Sequence, residues 1–482
     1  MLLLKPFVLS RSLRDFSTLV KVALFTLSLT IISIGFCGAA DSTTKSAAQK
    51  FLLLDDRIID QAVNAKLVFG KVEKSSANPL FSEDRPWEPR GDNYYCNVIY
   101  DKQENLYKCW YNPFVISELD EKTPHDERKN VTWKVSQERR YGLCYATSSD
   151  GIKWDKRNLG LIDYRGSTEN NIVMYDVNGP GIIKDLAEAD PQRRYKMIGT
   201  IGGNGPHHVW YSSDGLRWGQ PEIFEQIGGR ADTRNNLTWI PEREEWMLIS
   251  RVNFTPRDIG RSASKDLRDW TPITQVIVPE KGTPDFHDMP SFLYENIYLG
   301  LIGVFDTVAD RQWIELAWSP DSIKWHRLLP GTPFIANGEK GAYDWGCIFA
   351  DQPILNESEI RIYYSAGNGQ FHNWRDAFVC LAVIGRDRWA GYQSNQEKAG
   401  KILTRPDTCK GNKLAVTADA LGGSILCAAY DSRGKKIAEL ATIDTDVTNK
   451  VIADVSKYKG QKLRLGFELH NATIYSFAFI SE

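Results

Sequence analysis

Along most of this chain, strand-length apolar and aromatic runs alternate with short polar ones. The runs Tyr141 to Thr147 and Val209 to Tyr211 lead into the same polar sequence. Ser212-Ser213-Asp214-Gly215-Leu216-Arg217-Trp218 is nearly duplicated by Ser148-Ser149-Asp150-Gly151-Ile152-Lys153-Trp154. Weaker copies are Ser264-Lys265-Asp266-Leu267-Arg268-Asp269-Trp270 and Ser319-Pro320-Asp321-Ser322-Ile323-Lys324-Trp325. Their tryptophans recur every 52 to 64 residues, a period that belongs to propellers, solenoids or arrays. Asp-Gly supplies the positive backbone angles of a tight turn. The tryptophan is read as starting the next strand, a large apolar plug between neighbouring sheets. One four-stranded sheet per repeat, arranged radially, makes a propeller blade.

Five opening hairpins can be found. Their first strands are Asn93 to Tyr100, Pro180 to Lys184, Asn236 to Ile240, Pro290 to Tyr294 and Trp345 to Phe349. Residues 78–392 then give about 60 residues per blade, which fits the period. The predicted fold is all-β, a five-bladed β-propeller followed by a small C-terminal β-sandwich. The sandwich covers 393–482, where alternating runs such as Leu463 to Leu469 and Ile474 to Phe479 lack the Asp-turn repeat. Residues 41–77 form an N-terminal segment, expected to pack on the propeller or to complete its last blade and remove an open edge.

Residues 1–40 change the picture of where the protein works. A basic leader precedes an apolar run, Val22 to Phe36, and the small residues Gly38-Ala39-Ala40. This reads as a signal peptide cleaved before Asp41 and predicts an exported protein, periplasmic or secreted, with no membrane attachment after cleavage. A retained anchor is the alternative. Cleavage moves the net charge from −2 to about −5. No basic block tracks phosphate, so nucleic acid is not an expected partner. The seven remaining cysteines form no C-x-x-C pair. Cys96 and Cys109 flank a turn and could face each other, but buried free thiols are the preferred reading. Oligomeric state is not legible.

In a propeller the opening strands line the central channel, and their first residues meet at one end. Acids recur there: Glu88 and Asp92 in blade one, Asp232 in blade three, Asp285 and Asp288 in blade four, Asp344 in blade five. Blade two offers only Asp176, Asn178 or Asp185. Like charges in one cavity cannot all ionise freely, so one holds a proton while another stays charged. Glycoside hydrolysis needs that pairing, an acid for the leaving oxygen and a carboxylate to attack or to activate water. Trp87, Trp345 and Trp374 could stack on sugar faces; Arg234, Asn235, His287 and His372 could bind hydroxyls. An Asp or Asn before a strand also closes turns through its own backbone, and a tryptophan is as often core. The repeat aspartates Asp150, Asp214, Asp266 and Asp321 are read as turn residues. No metal site is expected; a channel calcium has no supporting pattern. There is no G-x-S-x-G elbow, P-loop or H-E-x-x-H.

On these residues, with Asn78-Pro79-Leu80, Pro86-Trp87-Glu88, Tyr107-Lys108-Cys109-Trp110-Tyr111 and Tyr145-Ala146-Thr147-Ser148-Ser149-Asp150-Gly151, the chain resembles the five-bladed propeller glycoside hydrolases of the invertase, levansucrase and arabinanase superfamily, in an exported branch. The resemblance covers roughly 78–392 and implies three carboxylates: a nucleophile or base, a tuning partner and a general acid. The signatures W-M-N-D-P-N-G, R-D-P and E-C of invertases are absent. By position, Glu88 or Asp92 would be the first carboxylate and Asp232 the third. The expected function is an exported glycoside hydrolase acting on oligo- or polysaccharide. Asp232 works with Glu88 or Asp92, and Asp288 or Asp344 supports them. The alternatives are a non-catalytic carbohydrate-binding propeller, or a glycoside phosphorylase requiring a cluster of Arg, Lys or His for phosphate.

Overall fold

A computed structural model describes residues 49–203, 205–394 and 397–481. The expected signal peptide and its cleavage point lie outside the described residues. The chain is almost entirely strand; among the described residues the α-helix is limited to Glu118–Lys122. No helix among them is long and apolar enough to cross a membrane.

Five antiparallel sheets of four-strand depth follow in order. Blade one is Arg90–Asp101, Leu106–Ile116, Arg140–Ser148 and Ile172–Tyr175. Blade two is Val177–Lys184, Tyr195–Ile201, His207–Ser212 and Glu222–Phe224. Blade three is Asn236–Ile240, Glu245–Phe254, Arg257–Ser264 and Thr274–Ile277. In blade four the inner edge is split into Asp285–Phe286 and Ser291–Tyr294, both paired with Ile297–Asp306 and followed by Arg311–Ser319 and His326–Leu328. Blade five sets Cys347–Ala350 and Ile354–Leu355 on Glu359–Gly367, then Ala377–Gly385. The inner strands of blades one to four neighbour one another in turn. The inner strand of blade five meets the second and third strands of blade four and neighbours the first strand of blade one, so the sheets close a ring. This is a five-bladed propeller.

The outer strand of blade five comes from the other end of the chain. Glu73–Lys74 and Phe81–Ser82 pair antiparallel with Ala377–Gly385. Between them, Asn78 acts as a clamp. Its amide donates to the Leu381 carbonyl at 2.8 Å and its oxygen accepts the Leu381 N–H at 2.8 Å. The exposed edge that the last blade would otherwise offer is thereby paired.

The repeat is a local device. Asp150 Oδ1 accepts the N–H groups of Ile152 and Lys153 at 2.7 and 2.8 Å. Asp214, Asp266 and Asp321 each repeat the pattern on two backbone N–H groups. Gly151 and Gly215 take φ of 74° and 77°, and Leu267 and Ser322 take the same left-handed turn at 63° and 64°. The tryptophans correct one expectation. They close the turn ahead of the fourth strands, which begin at Ile172, Glu222, Thr274 and His326. They still plug the gaps between sheets: Trp154 meets Tyr363 of blade five edge-on, with ring centroids 5.9 Å apart.

Two further sheets pack face to face around a core that includes Leu414, Val416, Ile425, Leu465, Phe467 and Phe477. They hold the C-terminal strands, but not those alone. Gln49–Leu52 and Lys66–Phe69 join one sheet and Ile59–Val63 the other. The N-terminal segment is thus divided: its first three strands complete the sandwich and its next two complete the propeller. All seven cysteines among the described residues are buried and free. The facing of Cys96 and Cys109 produces no disulfide.

Candidate active site

The end of the ring at which the inner strands begin is its mouth, and beneath it buried polar contacts cross the channel. Arg234 donates to Asp351 and to the Cys96 carbonyl, both at 2.8 Å. Asn97 donates to the Pro180 carbonyl at 3.0 Å. Gln352 of blade five reaches the Ser291 carbonyl of blade four at 2.7 Å. Such a network of buried polar contacts ties the blades to one another. Above it, the starts of the inner strands converge.

Three carboxylates stand at or just beneath this mouth, each positioned by an irregularity in its strand. Asp92 lies in a bulged stretch, where register with Leu106–Ile116 shifts twice. Asp92, Tyr94 and Tyr95 there take φ of 50°, 51° and 42°. Bulges re-aim side chains, and strained backbone of this kind gathers at functional sites. Asp92 is held by Arg375 at 3.0 Å and Arg90 at 3.4 Å. Asp232 rides a short loop knotted by Asn235, whose amide donates to the carbonyls of Ala231, Thr233 and Gly179. Asp288 fills the break in the inner edge of blade four. A Cβ on Gly303 would collide with its Oδ1, so the site depends on glycine there.

Burial dominates the electrostatics. Desolvation raises the Asp232 carboxyl; Arg251, a hydrogen bond from Asn178 at 3.1 Å and Arg257 pull it back, and the charge of Asp92 raises it again. Asp288 is fully buried, and neither of its oxygens has a hydrogen-bond partner. Burial pushes it up to about 7, against the opposing charges of Arg234 and Arg251. Arg234 Nε is 3.8 Å from its Oδ2 and His287 Nδ1 is 3.6 Å from its Oδ1. Burial, followed by Arg251 and Arg257, drives the His287 imidazole well below its usual value, so the ring is neutral. Acids with unequal surroundings take different protonation states, as acid–base chemistry requires.

Two sequence-predicted acids do not belong to this group. Glu88 is buried against Lys156 at 2.7 Å and Tyr111 at 2.5 Å, where it ties the loop before blade one to the flank of that blade. Asp344 accepts from Lys74 at 2.5 Å and from Tyr364 at 3.2 Å, so it anchors the closing strand. Both were read as channel acids because they precede inner strands. Cations distant in sequence claim them instead.

The binding residues divide likewise. Trp87 is core: its indole donates to Asn171 at 2.6 Å. Asn235 and Arg234 are committed to the loop and the channel fill described above. Trp345 is half-buried under the Arg311 guanidinium, 4.8 Å from its ring centroid. Trp374 clasps the insert of blade one, donating to the Val131 carbonyl at 2.6 Å while Arg128 stacks 4.8 Å above it. His287 does face the group, beside Tyr95 with centroids 6.2 Å apart. His372 sits exposed on the rim, with Nδ1 2.7 Å from Asp310.

The sequence reading missed Asn178, Tyr95, Arg251, Arg257 and Arg375. In blade two the alternatives are now resolved. Asp176 pairs with Arg140 at 2.7 Å and Asp185 with Lys196 at 2.9 Å, leaving Asn178 as the residue that touches Asp232. The available signal for Arg251 was a lone cation ending the apolar run Trp246 to Ile249. A cavity of about 310 Å³ between blades one and two is a different feature. Lys108 and Lys184, which line it, are paired with Asp101.

No protein family matches this chain, and no curated protein does. Among solved structures, a β-1,2-mannobiose phosphorylase of Listeria innocua is 13% identical, with 65% of this chain and 97% of that one covered and a TM-score of 0.45. A glycosyl hydrolase of Bacteroides ovatus is 14% identical, with 65% and 94% covered and a TM-score of 0.43. An N-acetylgalactosamine deacetylase of F. plautii, in complex with blood group B trisaccharide, is 12% identical, with 66% and 96% covered and a TM-score of 0.44. At this distance the site is read from its own geometry.

Proposed function

We propose that the mouth cleaves glycosidic bonds in an oligo- or polysaccharide. Asp232, whose carboxyl burial raises above its usual range, supplies the proton to the leaving oxygen. Asp92, more open to solvent, attacks the anomeric carbon or activates water. Asp288, buried beside Arg234 and His287, supports the pair from beneath. The observation that carries the reading is that Asp92, from blade one, lies near enough to Asp232, from blade three, for its charge to raise the Asp232 carboxyl. One acid and one base in a shared cavity is the minimum for this chemistry. The basic leader and apolar run of residues 1–40 support placing the enzyme outside the cytoplasm.

The second reading is sugar binding without turnover. It is favoured by Asn178, a neutral residue in the blade whose acid would complete the superfamily's triad. A panel of glycans assayed for both binding and reducing-end release separates the two. Release by the native protein but not by Asp232→Asn supports cleavage. Binding without release by either supports a lectin-like role, and equal release by both removes Asp232 from the mechanism.

A further inference from the structure

Blade three places two guanidinium groups near the mouth that no acid among the described residues neutralises by direct contact. Arg251 is 1% exposed, and its Nη2 donates to the His287 carbonyl at 3.1 Å. Its Nε is buried without a partner. Arg257 is 8% exposed, and its Nη1 is also buried without a partner. Phe305, Phe371 and Phe254 surround this guanidinium at 4.7, 5.3 and 5.5 Å. Among the described residues, neither arginine forms an ion pair within 4 Å. Asp232 and Asp288 act on them only through space, and Asp285 touches Arg257 only at its backbone N–H, at 3.2 Å, not at the guanidinium.

This arrangement is costly. Burial lowers both guanidinium groups from their usual range, Arg257 to about 10, and Arg251 adds repulsion to Arg257. A buried charge normally demands a hydrogen-bonded counter-charge. The other buried arginines obey that rule: Arg234 has Asp351 and Arg375 has Asp92. The aromatic walls fix where the Arg257 fork points without satisfying its N–H groups. Planar forks with unused donors match the oxygens of a carboxylate, sulfate or phosphate. The neutral ring of His287, with Nδ1 unpartnered, adds one more polar atom.

We propose that Arg251 and Arg257 form a subsite for an oxyanion beside Asp232, carried by the sugar itself as a uronate carboxylate or sulfate ester, or taken up as free inorganic phosphate. The proposal rests on the glycoside-cleaving reading of the mouth and narrows it to anionic partners. It also explains why two cations are kept buried without an acid in contact: the ligand supplies the missing charge, so the apo site is a place where stability is given up for function.

Calorimetric titration of the full chain with glucose, glucuronate, glucose 6-sulfate and inorganic phosphate tests it, alongside Arg257→Met and thermal unfolding of both proteins. The expected result is binding of at least one anion tenfold or more tighter than glucose. Arg257→Met should abolish that preference and leave the unfolding midpoint unchanged or raised. Preference for the sugar-borne anions identifies an acidic glycan; preference for phosphate identifies phosphate as co-substrate. Anions bound no better than glucose would overturn the proposal, as would anion binding that survives in Arg257→Met. A midpoint lowered in Arg257→Met, with no anion preference in the native protein, would assign the arginine to structure alone. These readouts are of binding and stability, so they fail or succeed independently of whether Asp232→Asn abolishes cleavage.

Discussion

The same side chain is treated in opposite ways at two places in this propeller. At the repeat turns, Asp150, Asp214, Asp266 and Asp321 point their carboxylates at backbone N–H groups, and those bonds depress them, Asp150 to about 2. At the mouth, Asp288 finds no donor and burial raises it to about 7, while Asp232 finds only the amide of Asn178 and is raised as well. A turn aspartate gives its lone pairs to the fold. Asp232 and Asp288 keep theirs nearly unspent, which is what proton transfer to a ligand requires. The conspicuous, repeated acids are therefore the structural ones, and the acids proposed to react occur once each.

Four experiments break or sharpen that contrast. The largest effect is expected for Asp232→Asn, which should reduce turnover by on the order of 10²–10⁴-fold with an unchanged unfolding midpoint. Steady-state rates on any substrate found by the glycan panel check it; a loss below tenfold would place Asp232 with the structural acids. The second concerns pH. Asp288 titrates near 7 in the fold against 3.8 ordinarily, so between those values the folded state binds the extra proton and stability falls as pH rises. The turn aspartates have the opposite sign: their contribution is full above about 4 and is lost on acidification toward 2. Denaturant melts should therefore show Asp288→Asn gaining on the native protein as pH rises from 4 to 7, while Asp150→Asn shows no such trend. A flat difference for Asp288→Asn would contradict its protonated state.

Third, Asp214→Ala should cost about 1 kcal/mol, the loss of a side chain that caps backbone N–H groups, with turnover intact. Chemical denaturation alongside the activity assay reads both. Smallest is Asn178→Asp. A second carboxylate touching Asp232 should raise its pKa and move the alkaline limb of the kcat/KM profile up by about one unit. An unmoved limb would mean that Asp232 is not the group whose protonation that limb reports.

Much of the architecture was legible because its determinants are local. The Asp turn needs residues two and three positions apart, and the alternation of strands needs only the next neighbour. Asp232 stood out for the same reason: Asp-Thr-Arg-Asn-Asn carries its own knot in Asn235. Glu88 and Asp344 looked equivalent to Asp92 because position before an inner strand does not encode which distant lysine will arrive. Lys156 comes from the third-to-fourth-strand connection of blade one and Lys74 from the closing strand. Arg257 was invisible, and Arg251 marked only by its place at the end of an apolar run, for the converse reason. Nothing local marks an arginine for which no acid will arrive. The division of the N-terminal segment between sandwich and propeller was equally hidden, since strands of both kinds alternate alike.

The strand that closes blade five has a consequence for when this protein becomes competent. Asp92 belongs to the first blade and its partner Arg375 to the last, and Glu83, just beyond the closing strand, accepts N–H groups from Gly91 on one side and Ala377 on the other. The carboxylate proposed to react thus lies at a seam that no partial ring possesses. A nascent or truncated chain lacking residues past 370 carries Asp92 and Asp232 but not the guanidinium that orients Asp92. Hydrolytic power would then arrive as the final step of assembly, after the chain has joined its two ends.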